Sequence, residues 1–330
     1  MSEQGLINRI WYGNHPLSIV LLPFGWLYCF CMKVRNFAYQ IGLLQKNSVN
    51  VPVIVVGNIT VGGAGKTPLV IWLCEKLMEE GYKPGILGRG YGGSTIKWPQ
   101  QVRLDSDPFT VGDEAVMLAQ RTGRPVVVSP NRYLAAIQLL EHTECNVLLC
   151  DDGLQHLSLE RDLEIAVIDG DRRFGNGNCL PAGPMREHVS RLLSVDLIVA
   201  KHSAGKNEHL MQYRYKDMIS VNNENNHIQL SSFNKMTIHA VSGIANPERF
   251  HSFLKKQGIT LIKHVFSDHH QYKLQDLQFD DGLPIVMTEK DAVKCRRFSI
   301  ENSWYLPIHV EFNDVFNHRI TKLIREICNG

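Results

Sequence analysis

VPVIVVGNITVGGAGKTP, running from Val51 to Pro68, decides how the rest of the chain is read. Its β-branched apolar run, Val53 to Val56, reads as a strand buried on both faces, and a glycine-rich turn ending in Gly65-Lys66-Thr67 follows at once. A strand feeding such a turn outlines a phosphate-binding loop. Glycines let backbone N–H groups curl around an anion without Cβ clashes, while Lys66 reaches the outer phosphates and the Thr67 hydroxyl ligates magnesium. Thr60, Val61, Gly62, Gly63, Ala64, Gly65, Lys66 and Thr67 are therefore the expected nucleotide-binding residues. Thr60 stands where the usual G-x-x-x-x-G-K-[ST] pattern begins with glycine. Leu69 to Glu80 has apolar residues at helical spacing, so a helix N-terminus is expected to face the same phosphates.

Working outward, Asn146 to Asp152 (NVLLCDD) is a hydrophobic strand ending in paired carboxylates. Asp151 and Asp152 would lie at the C-terminal edge of an open α/β sheet, where ligands bind, and they look like the magnesium-associated acidic strand of a P-loop enzyme. Gln155 and His156 follow them. A Gly- and Pro-rich loop, FGNGNCLPAGPMREH, closes with Arg186-Glu187-His188, and a loop that long inside a compact domain is usually functional. Glu187 could complete the metal's outer shell and Arg186 could neutralise a phosphate. TVGDEAVMLAQRTG places Asp113 and Glu114 in the first turn of a helix, where carboxylates often only cap the dipole. Arg89-Gly90-Tyr91-Gly92-Gly93 is a flexible turn carrying one cation and one aromatic ring.

The 330 residues, 44% apolar and 21% charged, suit an ordered chain of two domains. A formal charge of +2 argues neither for nor against a polyanionic partner, so no nucleic-acid partner is inferred from it, and no protein partner either. The eight cysteines show no zinc-type pairs, which fits buried thiols in a reducing compartment. Before the loop, Pro16 to Met32 lacks charge and carries Trp26 and Tyr28, with Lys33 and Arg35 just beyond. It falls short of the roughly 20 residues a spanning helix needs, and Pro23 and Gly25 interrupt it. An interfacial helix lying in a membrane surface is expected, the plain alternative being a core helix packed on the sheet.

Past a polar stretch from Lys201 to Lys235 the strand-and-helix pattern restarts. The expected division is a membrane-associated helix over 1–48, a P-loop core over 49–230 and a smaller α/β domain over 231–330. Within the last, SWYLPIHVEF reads as an edge strand because of Pro307, and Val315 to Cys328 as an amphipathic helix. The fold class is thus α/β, a P-loop NTPase-like parallel sheet flanked by helices.

Assembled, GNITVGGAGKTP, RGYGG, VGDEA, DDGLQH, LPAGPMRE, VSGIANPERF, FSDHHQY and TEKDAVK span Gly57 to Lys294. In content and order they resemble the tetraacyldisaccharide 4'-kinases, inner-membrane enzymes that phosphorylate the lipid A precursor. The resemblance implies transfer of the ATP γ-phosphate to the 4'-hydroxyl of a tetraacyldisaccharide 1-phosphate, forming lipid IVA. It implies that Lys66 binds phosphates, that Thr67, Asp151 and Asp152 hold Mg²⁺, and that Gln155, His156, Arg186 and Glu187 surround the transferred group. Asp113 becomes the candidate base with His269, expected from the second domain, as its partner across a cleft. The lipid substrate implies a peripheral protein at the cytoplasmic face of the inner membrane.

The rival class is a P-loop GTPase of metallochaperone or switch type. Guanine readers use an [NT]-K-x-D turn, which Ala200-Lys201-His202-Ser203 and Thr288-Glu289-Lys290-Asp291 both fail to match. A non-catalytic, membrane-bound nucleotide-binding module is a second rival.

Overall fold

The computed structural model describes residues 3–329. In chain order, the elements that matter for the site are α1 (Glu3–Tyr12), α2 (Leu22–Gln40), β1 (Val53–Gly57), α3 (Lys66–Glu79), β2 (Pro84–Gly88), α4 (Asp113–Thr122), β3 (Val126–Val128), α5 (Arg132–His142), β4 (Val147–Asp151), β5 (Leu163–Asp169), β6 (Leu197–Lys201), β7 (His209–Arg214), β8 (Asp217–Ser220), β9 (His227–Gln229), β10 (Thr237–Ser242), α6 (Pro247–Lys256), β11 (Thr260–Val265), β12 (Ile285–Thr288), α7 (Glu289–Cys295), β13 (Ser303–Leu306) and α8 (Asp314–Asn329).

The chain divides into two compact units. The first takes residues up to Arg89, Arg124–Gln212 and the chain from Glu311 onward; the second takes Gly90–Gly123 and Tyr213–Val310. This corrects the expected boundaries, which were drawn between consecutive segments. Phe312 meets Trp72 of α3 edge-on and Phe316 meets it at a tilt, with ring centroids 4.6 and 5.8 Å away, and α8 buries Phe316, Ile320 and Ile324. The second unit keeps its early segment through Arg121, whose guanidinium donates to both Glu289 oxygens at 2.8 and 2.9 Å, and through Arg297 over the Phe109 ring. Such returns of the chain leave no local mark in composition.

In the first unit the strands run β7-β6-β5-β1-β4-β2-β3, every pair parallel. Val53 to Gly57 and Val147 to Asp151 are buried throughout, as near-continuous apolar runs in a parallel sheet must be. Because β4 lies beside β1, in register Val56 with Asp151, the chain leaves both strands at the same edge. Helix α3 begins at Lys66, earlier than its apolar periodicity, because Gly65 caps it with a φ of 96°.

The second unit holds a mixed sheet ordered β9-β8-β13-β12-β10-β11. The strand before Pro307 is not at an edge: β13 pairs with β12 on one side and β8 on the other. Its pairing ends at Leu306, so the proline terminates the strand and no ladder donor is lost.

Pro23 and Gly25 do not interrupt α2, which runs unbroken. Pro23 sits in its first turn, where the missing N–H costs nothing, and a Cβ at Gly25 would lie 2.9 Å from the Cys179 carbonyl oxygen. The glycine permits close packing of α2 on the Gly- and Pro-rich loop, and Cys29 Sγ lies 2.6 Å from Cys179 Sγ. Trp11 of α1 donates to the Pro181 carbonyl on the same loop. Among the described residues no helix is long and apolar enough to cross a membrane.

Arg132 of α5 is fully buried and donates to the carbonyls of Ser129 and Asp151. Arg132→Leu would remove both hydrogen bonds from a buried interior. It is expected to lower unfolding free energy by about 3 kcal/mol, measured by chemical denaturation; an unchanged midpoint would contradict a tethering role.

Candidate active site

The phosphate loop leaves β1 at Asn58, which is buried, and is pinned from outside: Arg186 N–H donates to the Ile59 carbonyl at 2.7 Å and Val61 N–H to Pro184 at 2.8 Å. Gly62 has a φ of 111°, and a Cβ at Gly62 or Gly63 would meet nothing within 4 Å, so the loop presents its backbone to open space. Lys201 donates to the Gly63 carbonyl at 3.1 Å from the end of β6. The loop is therefore held in its curve by three neighbours while its concave side stays accessible.

Lys66 extends from the first turn of α3 to 3.3 Å from Asn58 Oδ1 and 3.4 Å from Asp152 Oδ1. Arg186 reaches the same carboxylate, its Nη1 lying 3.0 and 3.1 Å from the two oxygens. Burial alone would raise the Asp152 carboxyl, but the Lys66 and Arg186 cations outweigh it and hold it at about 2. That pairing stabilises the fold above the ordinary aspartate value of about 3.9 and is lost only as pH falls toward about 2. Asp152 itself has a φ of 52°, a conformation a non-glycine residue adopts at a cost. Beside it, Thr67 Oγ1 lies 3.5 Å from Asp151 Oδ2.

Gln155 and Glu187 form the next layer. Gln155 Nε2 donates to the Asn58 carbonyl at 3.0 Å and to Glu187 Oε1 at 2.7 Å, and Asn36 Nδ2 of α2 donates to Glu187 Oε2 at 2.8 Å. Both carboxylate oxygens of Glu187 are thus engaged. Arg35 donates to the Gln155 carbonyl. His156 is kept uncharged, pushed down to about 3 by burial and by Arg132 and Arg89. Tyr28, Met32, Arg35, Arg89, Asp152 and Arg186 line a cavity of about 350 Å³.

A second cluster forms within the second unit. His269 Nδ1 lies 3.0 Å from Asp113 Oδ2, and Asp113 Oδ1 accepts from the Glu114 N–H at 2.9 Å. Both residues belong to that one unit, so the pair forms without the cleft expected between them. His269 has a φ of 59°, and Tyr91 approaches its ring edge-on at 5.2 Å. Burial would raise the Asp113 carboxyl, yet the His269 hydrogen bond and the Lys290 and Lys294 cations hold it below its usual range. The hydrogen bond to Asp113 pushes His269 up against the effect of burial.

Among the described residues no three His, Cys, Asp or Glu side chains gather into a metal cage. One hydroxyl and one carboxylate side by side nonetheless suit magnesium, which keeps several waters and binds substrate phosphates. Asn36, Arg35, Asn58, Lys201, Lys290 and Lys294 escaped the sequence reading. For the two later lysines the signal was present in TEKDAVK, whose helix is capped by Thr288 rather than shaped as a guanine reader. Asn36 and Arg35 sit just past an apolar segment that gave no hint of a site.

A family model described as Tetraacyldisaccharide-1-P 4'-kinase matches residues 17–325. A tetraacyldisaccharide 4'-kinase of Nitrosococcus oceani is 48% identical over 97% of this chain and 95% of its own. A protein of that name from Coxiella burnetii is 43% identical over 97% and 95%. The crystal structure of LpxK from Aquifex aeolicus, in complex with ATP, aligns with a TM-score of 0.83 and 29% identity, covering 94% of this chain and 99% of that one.

Asn36→Ala would release Glu187 Oε2 and loosen Gln155. Expected is about a tenfold fall in kcat with the KM for ATP little changed, read by steady-state kinetics beside a melting curve showing an intact fold.

Proposed function

The chain belongs to the tetraacyldisaccharide 4'-kinase family, and from that premise we propose how its residues move the γ-phosphate of ATP to the 4'-hydroxyl of a tetraacyldisaccharide 1-phosphate. The observation that carries the reading is the convergence of Lys66 and Arg186 on Asp152, beside a phosphate loop and at the end of the adjacent strand. In that arrangement two cations are preorganised where charge spreads over a transferring phosphoryl group.

The triphosphate lies on the backbone N–H groups of Gly62 to Lys66 and at the α3 N-terminus, with Lys66 and Arg186, held beside Asp152, donating to its oxygens. Thr67 with Asp151 and Asp152 would hold Mg²⁺, which would supply neutralisation of phosphate charge. Gln155 and Glu187 keep Arg186 and the loop in place, and neutral His156 adds no charge there. The cavity beside Arg35, Arg89 and Arg186 takes the phosphorylated sugar. As the sugar oxygen bonds to the γ-phosphorus, the bond to the β,γ-bridging oxygen breaks, ADP departs, and the hydroxyl proton passes to Asp113. In a loose transition state that proton is acidic only late, so a weakly basic carboxylate is adequate.

We also place the enzyme as a peripheral protein on the cytoplasmic face of the inner membrane. Four acyl chains leave a bilayer at about 0.8 kcal/mol per CH₂, so the kinase must come to its substrate. Support comes from α2, where Trp26, Leu27, Phe30, Val34 and Phe37 are exposed, Trp26 and Phe30 by 66% and 63%. The opposite side carries Gly25, Cys29, Arg35 and Asn36 to their partners.

Incubation with labelled ATP and the disaccharide 1-phosphate in detergent should label the sugar at the 4'-position; label appearing only in free phosphate would overturn the reading. Asp113→Asn is expected to lower kcat about 10²–10⁴-fold with the KM for ATP nearly unchanged, and full activity would remove Asp113 as base. Replacing Trp26, Phe30 and Phe37 by Ser should weaken binding to anionic vesicles by more than about 100-fold, with ATP affinity retained. Undiminished vesicle binding would dismiss α2 as the anchor.

A further inference from the structure

Resting on the kinase reading, Asp113 and His269 act together, but their neighbour Lys290 has no role yet. It projects from the first turn of α7, and its Nζ lies 3.3 Å from His269 Nε2, 3.3 Å from Glu114 Oε1 and 3.3 Å from Asp268 Oδ1. Asp113 Oδ2 is 3.9 Å away. An ammonium has three hydrogens and accepts none, so these three acceptors match its capacity. Its charge is secure: burial opposes it, but Glu114, Asp113 and Asp268 outweigh burial and push Lys290 above the ordinary lysine range.

We propose that Lys290 is a positioning residue that fixes the tautomer of His269, donating to Nε2 so that the ring carries its proton on Nδ1, from where it hydrogen-bonds to Asp113. Two N–H groups cannot face each other at 3.3 Å as a bond, so Nε2 must hold a lone pair while Lys290 is charged. The Nδ1–H then donates to Asp113 Oδ2. With one nitrogen protonated and the other engaged, His269 has no lone pair for the sugar hydroxyl. The carboxylate of Asp113 keeps one, so Lys290 decides which member of the pair is the base.

The groups facing His269 are Asp113 from α4, Asp268 from its own turn, Tyr91 from the glycine-rich turn, and Lys290 from α7, and Glu114 of α4 meets Lys290. Lys294, also on α7, lies 4.0 Å from Asp113 Oδ2. Without Lys290 the imidazole meets the carboxylates of Asp113 and Asp268 with no cation at Nε2 and keeps a second proton to higher pH. An imidazolium paired to Asp113 withdraws the carboxylate as a base. Activity is therefore full above the folded pKa of His269 and declines as pH falls through it, and removing Lys290 moves that decline upward.

The test is nitrogen NMR of histidine-labelled full-length enzyme in detergent micelles, with His269 identified among 14 histidines by the signal lost in His269→Gln. The wild type should show the Nδ1–H tautomer, a reading that needs no variant of Lys290. Lys290→Met should raise the His269 midpoint by about one pH unit and shift the acid limb of kcat/KM equally, with the KM for ATP unchanged. Lys290→Arg, which keeps a cationic donor, should hold both near wild type. An Nε2–H tautomer, or equal midpoints in wild type and Lys290→Met, overturns the inference. Either result leaves the kinase reading standing, since that fails separately if no label reaches the sugar.

Discussion

The carboxylate of Asp152 is the point on which the first unit turns. It stands at the end of β4, next to the loop that leaves β1, and two cations from distant parts of the chain converge on it. Burying a carboxylate is costly unless cations compensate, and here Lys66 and Arg186 do so with enough margin to keep it ionised at any physiological pH. Charges held in place before a nucleotide arrives need little reorganisation when it does. The surrounding hydrogen bonds serve that end: Arg132 secures the carbonyl of Asp151, Gln155 ties Asn58 to Glu187, and Asn36 closes the far side.

The second unit solves a different electrostatic problem. Asp113 is almost fully buried and must stay charged, which it does beside His269, Lys290 and Lys294. Lys294 is committed to Asp291, which also accepts from the Thr288 hydroxyl and the Gly243 N–H. The cluster therefore alternates sign from residue to residue. No member can be neutralised without leaving a neighbour uncompensated in a poorly solvated setting. Asp152 and His269, one in each unit, both adopt left-handed backbone conformations, the kind of local strain that surrounding contacts must sustain.

Features carried by local pattern were legible in the sequence. Continuous apolar strands, the Gly65-Lys66-Thr67 junction and the acidic end of β4 follow from short-range chemistry, and their placement side by side follows from parallel sheet rules. What escaped was set by distance along the chain. Asn36 meets Glu187 across 151 positions and Lys290 meets Glu114 across 176, contacts that no periodicity announces. The boundaries missed for the same reason: α8 returns to Trp72 by aromatic packing, while the segment with Asp113 leaves its sequence neighbours for His269. Pro307 misled because a proline just past a strand and one within it look alike in sequence.

Helix α2 also ties two requirements into one rigid object. The stripe carrying Trp26, Phe30 and Phe37 and the stripe carrying Arg35 and Asn36 share a single backbone, and a helix turns about 100° per residue. An added or deleted residue between them would swing the greasy side around by that angle relative to Glu187, leaving composition and hydropathy nearly untouched. Exchanging one apolar side chain for another along the outer stripe leaves the Glu187 contact in place, whereas changing the helix's length does not. The phase between the two stripes, rather than the identity of any one aromatic, is the quantity the helix fixes.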